Sequence, residues 1–127
     1  MIINKSIDVE DVVRQALSGH LNAYCRPLPK DFDVPCILVQ QVGGTDANTI
    51  DSFEIVLDAR AETEAEANET MRTAIGILKT VAAYQTTALR YVSVNSSGSW
   101  GNDPVRPDLS MYSARIRVIA HEEQTEV

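Results

Sequence analysis

Two cysteines, two histidines and one tryptophan are all that 127 residues contain, and each scarcity removes a class of function. Cys25 and Cys36 are separated by ten residues and lack the paired spacing of a zinc ligand set or a redox motif. They read as reduced thiols, Cys36 in the core and Cys25 in a loop, with a disulfide as the alternative. His20 and His121 lie far apart, each near the end of an element, where surface or capping roles are the ordinary ones. No serine sits in a Gly-x-Ser-x-Gly turn and neither cysteine has a nearby base, so nucleophilic catalysis lacks its parts. Glycine is sparse too, and Gly43-Gly44 is not a phosphate loop because the lysine and the following helix are missing. No apolar run approaches the roughly 18 residues needed to span a membrane, and residues 1–13 show no basic stretch leading into an apolar one, so neither anchor nor leader is expected. Basic side chains are outnumbered, eleven against eighteen acidic, for a formal charge of −7. That balance repels phosphate backbones and anionic lipid and disfavours a sequence-reading nucleic-acid binder.

What is present describes an ordinary folded domain. Apolar residues make up 44% and charged residues 23% of the chain, near the averages for globular proteins, and no repeat or low-complexity segment divides it. One domain over residues 1–127 is expected to bury about two-thirds of its unfolded surface. The periodicities predict the order αββαββ, an α+β fold with one mostly antiparallel four-stranded sheet and two helices on one face. Helix one spans 8–22, with Val9, Val12, Val13, Ala16 and Leu17 at helical spacing and Ser6 or Asp8 as N-cap. Pro27, Pro29 and Pro35 then impose an extended loop over 24–35, pinned by Leu28 and Phe32. Strand one covers 36–42. Gly43-Gly44 with Thr45, Asp46, Ala47 and Asn48 supplies a hairpin turn, and strand two covers 49–60, with Phe53, Ile55, Leu57 and Ala59 on its core face. Helix two begins at the capping box of Thr63 and Glu66 and runs to about Ala83, burying Ala67, Met71, Ala74, Ile75, Leu78, Val81 and Ala82. Strand three spans 89–95 and strand four 109–121, the latter with Tyr112, Ala114, Ile116, Val118 and Ala120 inward. Thirteen residues would extend about 43 Å, more than the roughly 36 Å diameter of such a domain, so strand four is expected to outreach it. The tail over 122–127 reads as frayed.

The remaining polar groups do not assemble a catalytic or metal site. Glu62, Glu64, Glu66 and Glu69 fan around a helix start instead of converging from a tight loop, and a solvated, dipole-matched face is the better reading than a metal site. Asp103 and Asp108 flank Pro104 and Pro107, where aspartates bond local backbone amides. The Ser/Gly/Asn/Pro-rich segment 96–108 reads as a long loop, and long loops are commonly functional. Its Trp100 has two readings: a ring folded back over an exposed end of the core, or an interface anchor near Arg106.

The order of these signals resembles the tail terminator, or tail completion, proteins of long-tailed bacteriophages. The resemblance spans most of the chain. An N-terminal helix leads to Leu28-Pro29 and Phe32, and a strand ends in Val39-Gln40-Gln41-Val42-Gly43-Gly44. An acidic strand and an Ala/Glu-rich helix with Ala65, Ala67 and Met71 follow, then Trp100, Asp103-Pro104 and an arginine-rich last strand. The resemblance implies a non-enzymatic virion subunit that assembles in the host cytoplasm. It would form a ring, typically a hexamer, capping the tail tube and meeting the head connector, with DNA only passing through its channel. It implies no cofactor, metal or membrane. Candidate interface residues are Phe32, Gly43, Gly44, Asp46, Trp100, Asp103, Arg106, Arg115 and Arg117. Two alternatives stay open: a head-closure or other neck protein, and a small-molecule-binding regulatory domain. A small enzyme is a third, disfavoured because acid, base and nucleophile cannot be paired.

Overall fold

The computed structural model describes residues 1–47 and 50–127; residues 48 and 49 lie outside them. Among the described residues the chain runs β1 (Ile2–Lys5), α1 (Val9–Ser18), β2 (Asn22–Cys25), β3 (Cys36–Ala47), β4 (Ile50–Ala61), α2 (Glu64–Tyr84), β5 (Leu89–Asn102), β6 (Ser110–His121) and β7 (Glu123–Glu126). Two helices are present as expected, but the sheet is not the expected single four-stranded antiparallel one. Five strands form a mixed sheet in the order β2-β3-β4-β6-β5, and β1 pairs with β7 in a separate two-stranded ribbon.

The mixed character comes from β2, which runs parallel to β3 with Asn22 opposite Cys36 and Cys25 opposite Val39. Residues 24–35 were expected to be loop throughout because of their prolines. The prolines begin only at Pro27, however, and Asn22–Cys25 is free to donate to a ladder. α1 correspondingly ends at Ser18, four residues before the expected limit. Its start is held by Asp8, whose side chain accepts from the Asp11 N–H at 3.4 Å.

One strong alternation sets the core. Ile55, Leu57 and Ala59 of β4 and Ile116, Val118 and Ala120 of β6 are all buried on the helix-covered face. They meet Val13 and Leu17 of α1 and Met71, Ala74 and Leu78 of α2 in one cluster, the pattern expected of a sheet with one face packed on helices. α2 is capped as its sequence requires: the Thr63 hydroxyl accepts from the Glu66 N–H at 3.2 Å. The Glu66 carboxylate reaches back to the Glu62 N–H at 3.4 Å, one residue upstream of the usual capping-box partner. At the other end Gln85 takes the left-handed conformation and donates its N–H to the Ala82 carbonyl.

Four further expectations are corrected. Gly43 and Gly44 do not form the hairpin turn; they continue β3 beyond a bulge between Gln41 and Gly43, while Asn48, also expected in that turn, lies outside the described residues. Gly44 is needed for close approach, since a Cβ there would lie 2.6 Å from the Ser52 carbonyl oxygen. Segment 96–108 is not mainly loop. β5 continues to Asn102 because three register breaks, at Leu89/Tyr91, Val94/Ser96 and Ser97/Ser99, let a Ser/Gly-rich strand follow β6 despite its irregular pattern. β6 does not project from the domain either: β4 flanks it over its whole length, Ser110 to His121, and β5 flanks its other side from Ser110 to Ala120. The last residues pair as β7 instead of fraying.

Candidate functional site

The second face of the sheet is uncovered over much of its area and carries polar cross-strand pairs. Asp58 accepts from Gln40 Nε2 at 2.7 Å and from Ser113 Oγ at 2.5 Å. Arg115 reaches Glu54 at 3.1 Å, and Arg117 Nε donates to Ser52 Oγ at 2.8 Å. Arg115 and Arg117, expected at an interface, therefore stand on this face, each already tied to a β4 side chain. The Arg115 pair is too exposed to contribute more than about 1 kcal/mol.

At the end of this face where β3 starts and β4 finishes, two loops close over the sheet. Residues 26–35 come from one side and 103–109 from the other, and between them Phe32, Cys36 and Leu109 form a small second cluster with Tyr24, Leu28 and Val34 against it. Burial pushes the Cys36 thiol up to about 11. Under the loops Arg60 Nε donates to Asp103 Oδ2 at 2.7 Å, with side-chain exposures of only 9% and 3%. Asp103 Oδ1 accepts from the Val105 and Arg106 N–H groups at 2.8 and 3.2 Å, the local turn expected of an Asp-Pro pair. Burial raises the Asp103 carboxyl, but those two amides and the Arg60 guanidinium outweigh it and hold the group below the usual carboxylate range. Arg106 sits over the Phe32 ring, 5.1 Å from its centroid.

Phe32, Asp103 and Arg106 are thus brought together, as a set of three, but Phe32 and Asp103 are buried within their own chain. In the single chain they hold the two loops together. They frame a cleft of about 560 Å³ lined by Leu28, Pro29, Lys30, Phe32, Arg60, Asp103, Pro104, Val105 and Arg106. Arg60 and Lys30 were not anticipated. An arginine in the polar set of an alternating strand looks the same in sequence whether it meets water or a loop; the only hint was the Asp103-Pro104 turn available to cover it.

Trp100 lies away from that cleft, on β5, with its ring edge-on to Tyr112 at a centroid distance of 4.4 Å. Tyr112 leans on the main core, and Trp100 packs on that ring with 46% of its own surface exposed. With Tyr91 and Val94, also exposed, it makes β5 an apolar margin on the sheet.

β5 is an outer strand with no pairing on its far side among the described residues. The opposite margin is different. β2 covers β3 only as far as Val39, and the next stretch is blunted by side chains: Glu10 accepts from the Gln41 N–H at 2.9 Å, and Arg26 donates to the Gln41 carbonyl at 3.3 Å while pairing with Glu10 at 2.6 Å. Beyond Gln41, the strand through Gly43 and Gly44 has no strand paired on that side among the described residues. The side chain of Asp46 lies outside what is described. Among the described residues no group of three or more His, Cys, Asp or Glu side chains is placed to hold a metal ion, and no helix is long and apolar enough to cross a membrane.

The chain matches no protein-family model, and no curated protein matches it.

Proposed function

We propose that the protein is a ring-forming structural subunit of the neck of a long-tailed bacteriophage, capping the tail tube and contacting the head connector. The observation that carries this reading is the pair of unlike open margins on one sheet: the apolar outer strand β5 on one side and the distal half of β3 on the other. A contact between two different surfaces of identical subunits generates a closed ring when the rotation closes, and exposed strand edges are templates for such pairing. Gly43 and Gly44 keep the β3 margin free of bulky side chains, and Trp100 offers the β5 margin an aromatic anchor. The charge of −7 suits a ring through which DNA passes without adhering.

The experiment is light scattering of the purified protein combined with negative-stain microscopy after mixing with polymerised tail tubes. Rings at tube ends are expected. In the double variant Val94→Lys/Trp100→Lys, which puts charge on the β5 margin, rings should be lost while the circular dichroism spectrum is retained. A wild-type monomer at high concentration that leaves tube ends bare would refute the reading.

A further inference from the structure

The cleft between the 26–35 and 103–109 loops takes no part in either sheet margin, and its chemistry points elsewhere. We propose that it binds a single carboxylate carried on an apolar body. Three cationic side chains, Lys30, Arg60 and Arg106, line it against one carboxylate, Asp103. Both oxygens of Asp103 are already engaged, one by Arg60 Nε and the other by two backbone amides. The exposed acids of the same loops, Asp31, Asp33 and Asp108, are not part of the lining. On a chain with a net charge of −7, this lining reverses the sign locally.

Arg60 supplies the second, independent indication. Its side chain is 9% exposed, and its Nη1 is buried with no hydrogen-bond partner among the described residues. Buried guanidinium groups are ordinarily saturated; Nη1 is closed off from the cleft as it stands, so a carboxylate would gain it only as the 103–109 loop shifts, and its first contacts are Lys30 and Arg106. The rest of the wall is apolar, with Leu28 and Phe32 on one side and Val105, 85% exposed, at the mouth. A cleft of about 560 Å³ is within the range of small-molecule sites, which pair an apolar lining with a few placed polar groups. An aliphatic or aromatic acid satisfies both parts; a bare anion leaves the apolar wall wet, and a neutral analogue leaves the cationic lining unmatched.

The test is a titration of the ¹⁵N-labelled full chain at neutral pH with N-acetylphenylalanine, following the amides of Val105 and Arg106. Saturable shifts are expected from the acid, while its neutral amide and acetate need at least about tenfold higher concentration. Arg60→Gln risks unfolding, so the rim variant Lys30→Gln/Arg106→Gln is decisive: it should bind at least about tenfold more weakly with an unchanged melting temperature. A longer peptide ending in the same residue distinguishes the source. Tighter binding than the single residue points to a protein chain end and weaker binding to a free acid, and either sustains the carboxylate assignment. No saturable shift by about 10 mM acid, equal binding of the amide, or unchanged binding by the rim variant would overturn it. None of these outcomes depends on whether rings form.

Discussion

Replacing Asp103 by Asn should destabilise the domain severely, and a second substitution should restore most of the loss. Arg60 and Asp103 are joined at 2.7 Å with both side chains more than nine-tenths buried. Removing one charge of such a pair leaves the other buried and unmatched, which costs about 3–5 kcal/mol. A domain of this size has only about 6–19 kcal/mol in total. The Asn oxygen still accepts from the Val105 and Arg106 amides, so the turn survives and the loss reports on the pair. At about 2.1 cal/mol/K of unfolding entropy per residue, 3–5 kcal/mol lowers the melting temperature by roughly 11–19 °C. Arg60→Met in the Asp103→Asn background removes the orphan charge and fills the space with an apolar side chain, so most of that drop should be recovered. The pH dependence has a defined sign. The Asp103 carboxyl is depressed in the folded state, so its contribution is complete above the unfolded value of about 3.9 and disappears as pH falls through the folded one. The gap between wild type and Asp103→Asn should therefore narrow below about pH 4. Calorimetry and urea titration at several pH values measure both effects. If Asp103→Asn melts within a few degrees of wild type, or the double variant is no better than the single, the pair does not hold the loops to the sheet.

Three smaller perturbations test other parts of the molecule. Gly44→Ala should cost about 1–3 kcal/mol, because its Cβ would meet the Ser52 carbonyl oxygen at 2.6 Å and the two backbones must separate; chemical denaturation measures it. Glu10→Ala should cost about 1–2 kcal/mol and accelerate hydrogen exchange at the Gln41 amide, since the lost hydrogen bond matters more than the ion pair to the half-exposed Arg26. With its thiol pushed up to about 11 by burial, Cys36 at pH 8 is thiolate only about one part in a thousand of the time. Mass spectrometry should find it unmodified by iodoacetamide in the native protein and modified once denaturant is added.

The parts of the fold legible in the sequence were those governed by a single period. α2, β4 and β6 each combine a clean apolar repeat with a local stop signal, and the structure puts Met71, Leu78, Ile55, Leu57, Ile116 and Val118 in the core as that repeat requires. Strands without such a period escaped notice. β2 is four residues of Asn-Ala-Tyr-Cys whose partner lies across a proline-rich loop, and the second half of β5 is interrupted by bulges that scramble its alternation. β1 and β7 are legible only as a pair, because neither carries an apolar face of its own. The candidate site failed to show for a related reason. Phe32, Asp103 and Arg106 could be picked out as residue types, but their convergence on Arg60 depends on two loops meeting over a sheet. No local pattern encodes that meeting.

The parallel pairing of β2 with β3 obliges the chain to travel back the length of a strand before it can start again. Four residues of strand amount to about 13 Å, whereas ten intervening residues reach more than about 30 Å when extended. The surplus length is the wall that carries Leu28, Lys30 and Phe32. Relatives that shortened this return would keep every ladder of the sheet and lose the hollow beside it, so a change in loop length alone would suffice to switch that face between a recess and a flat surface.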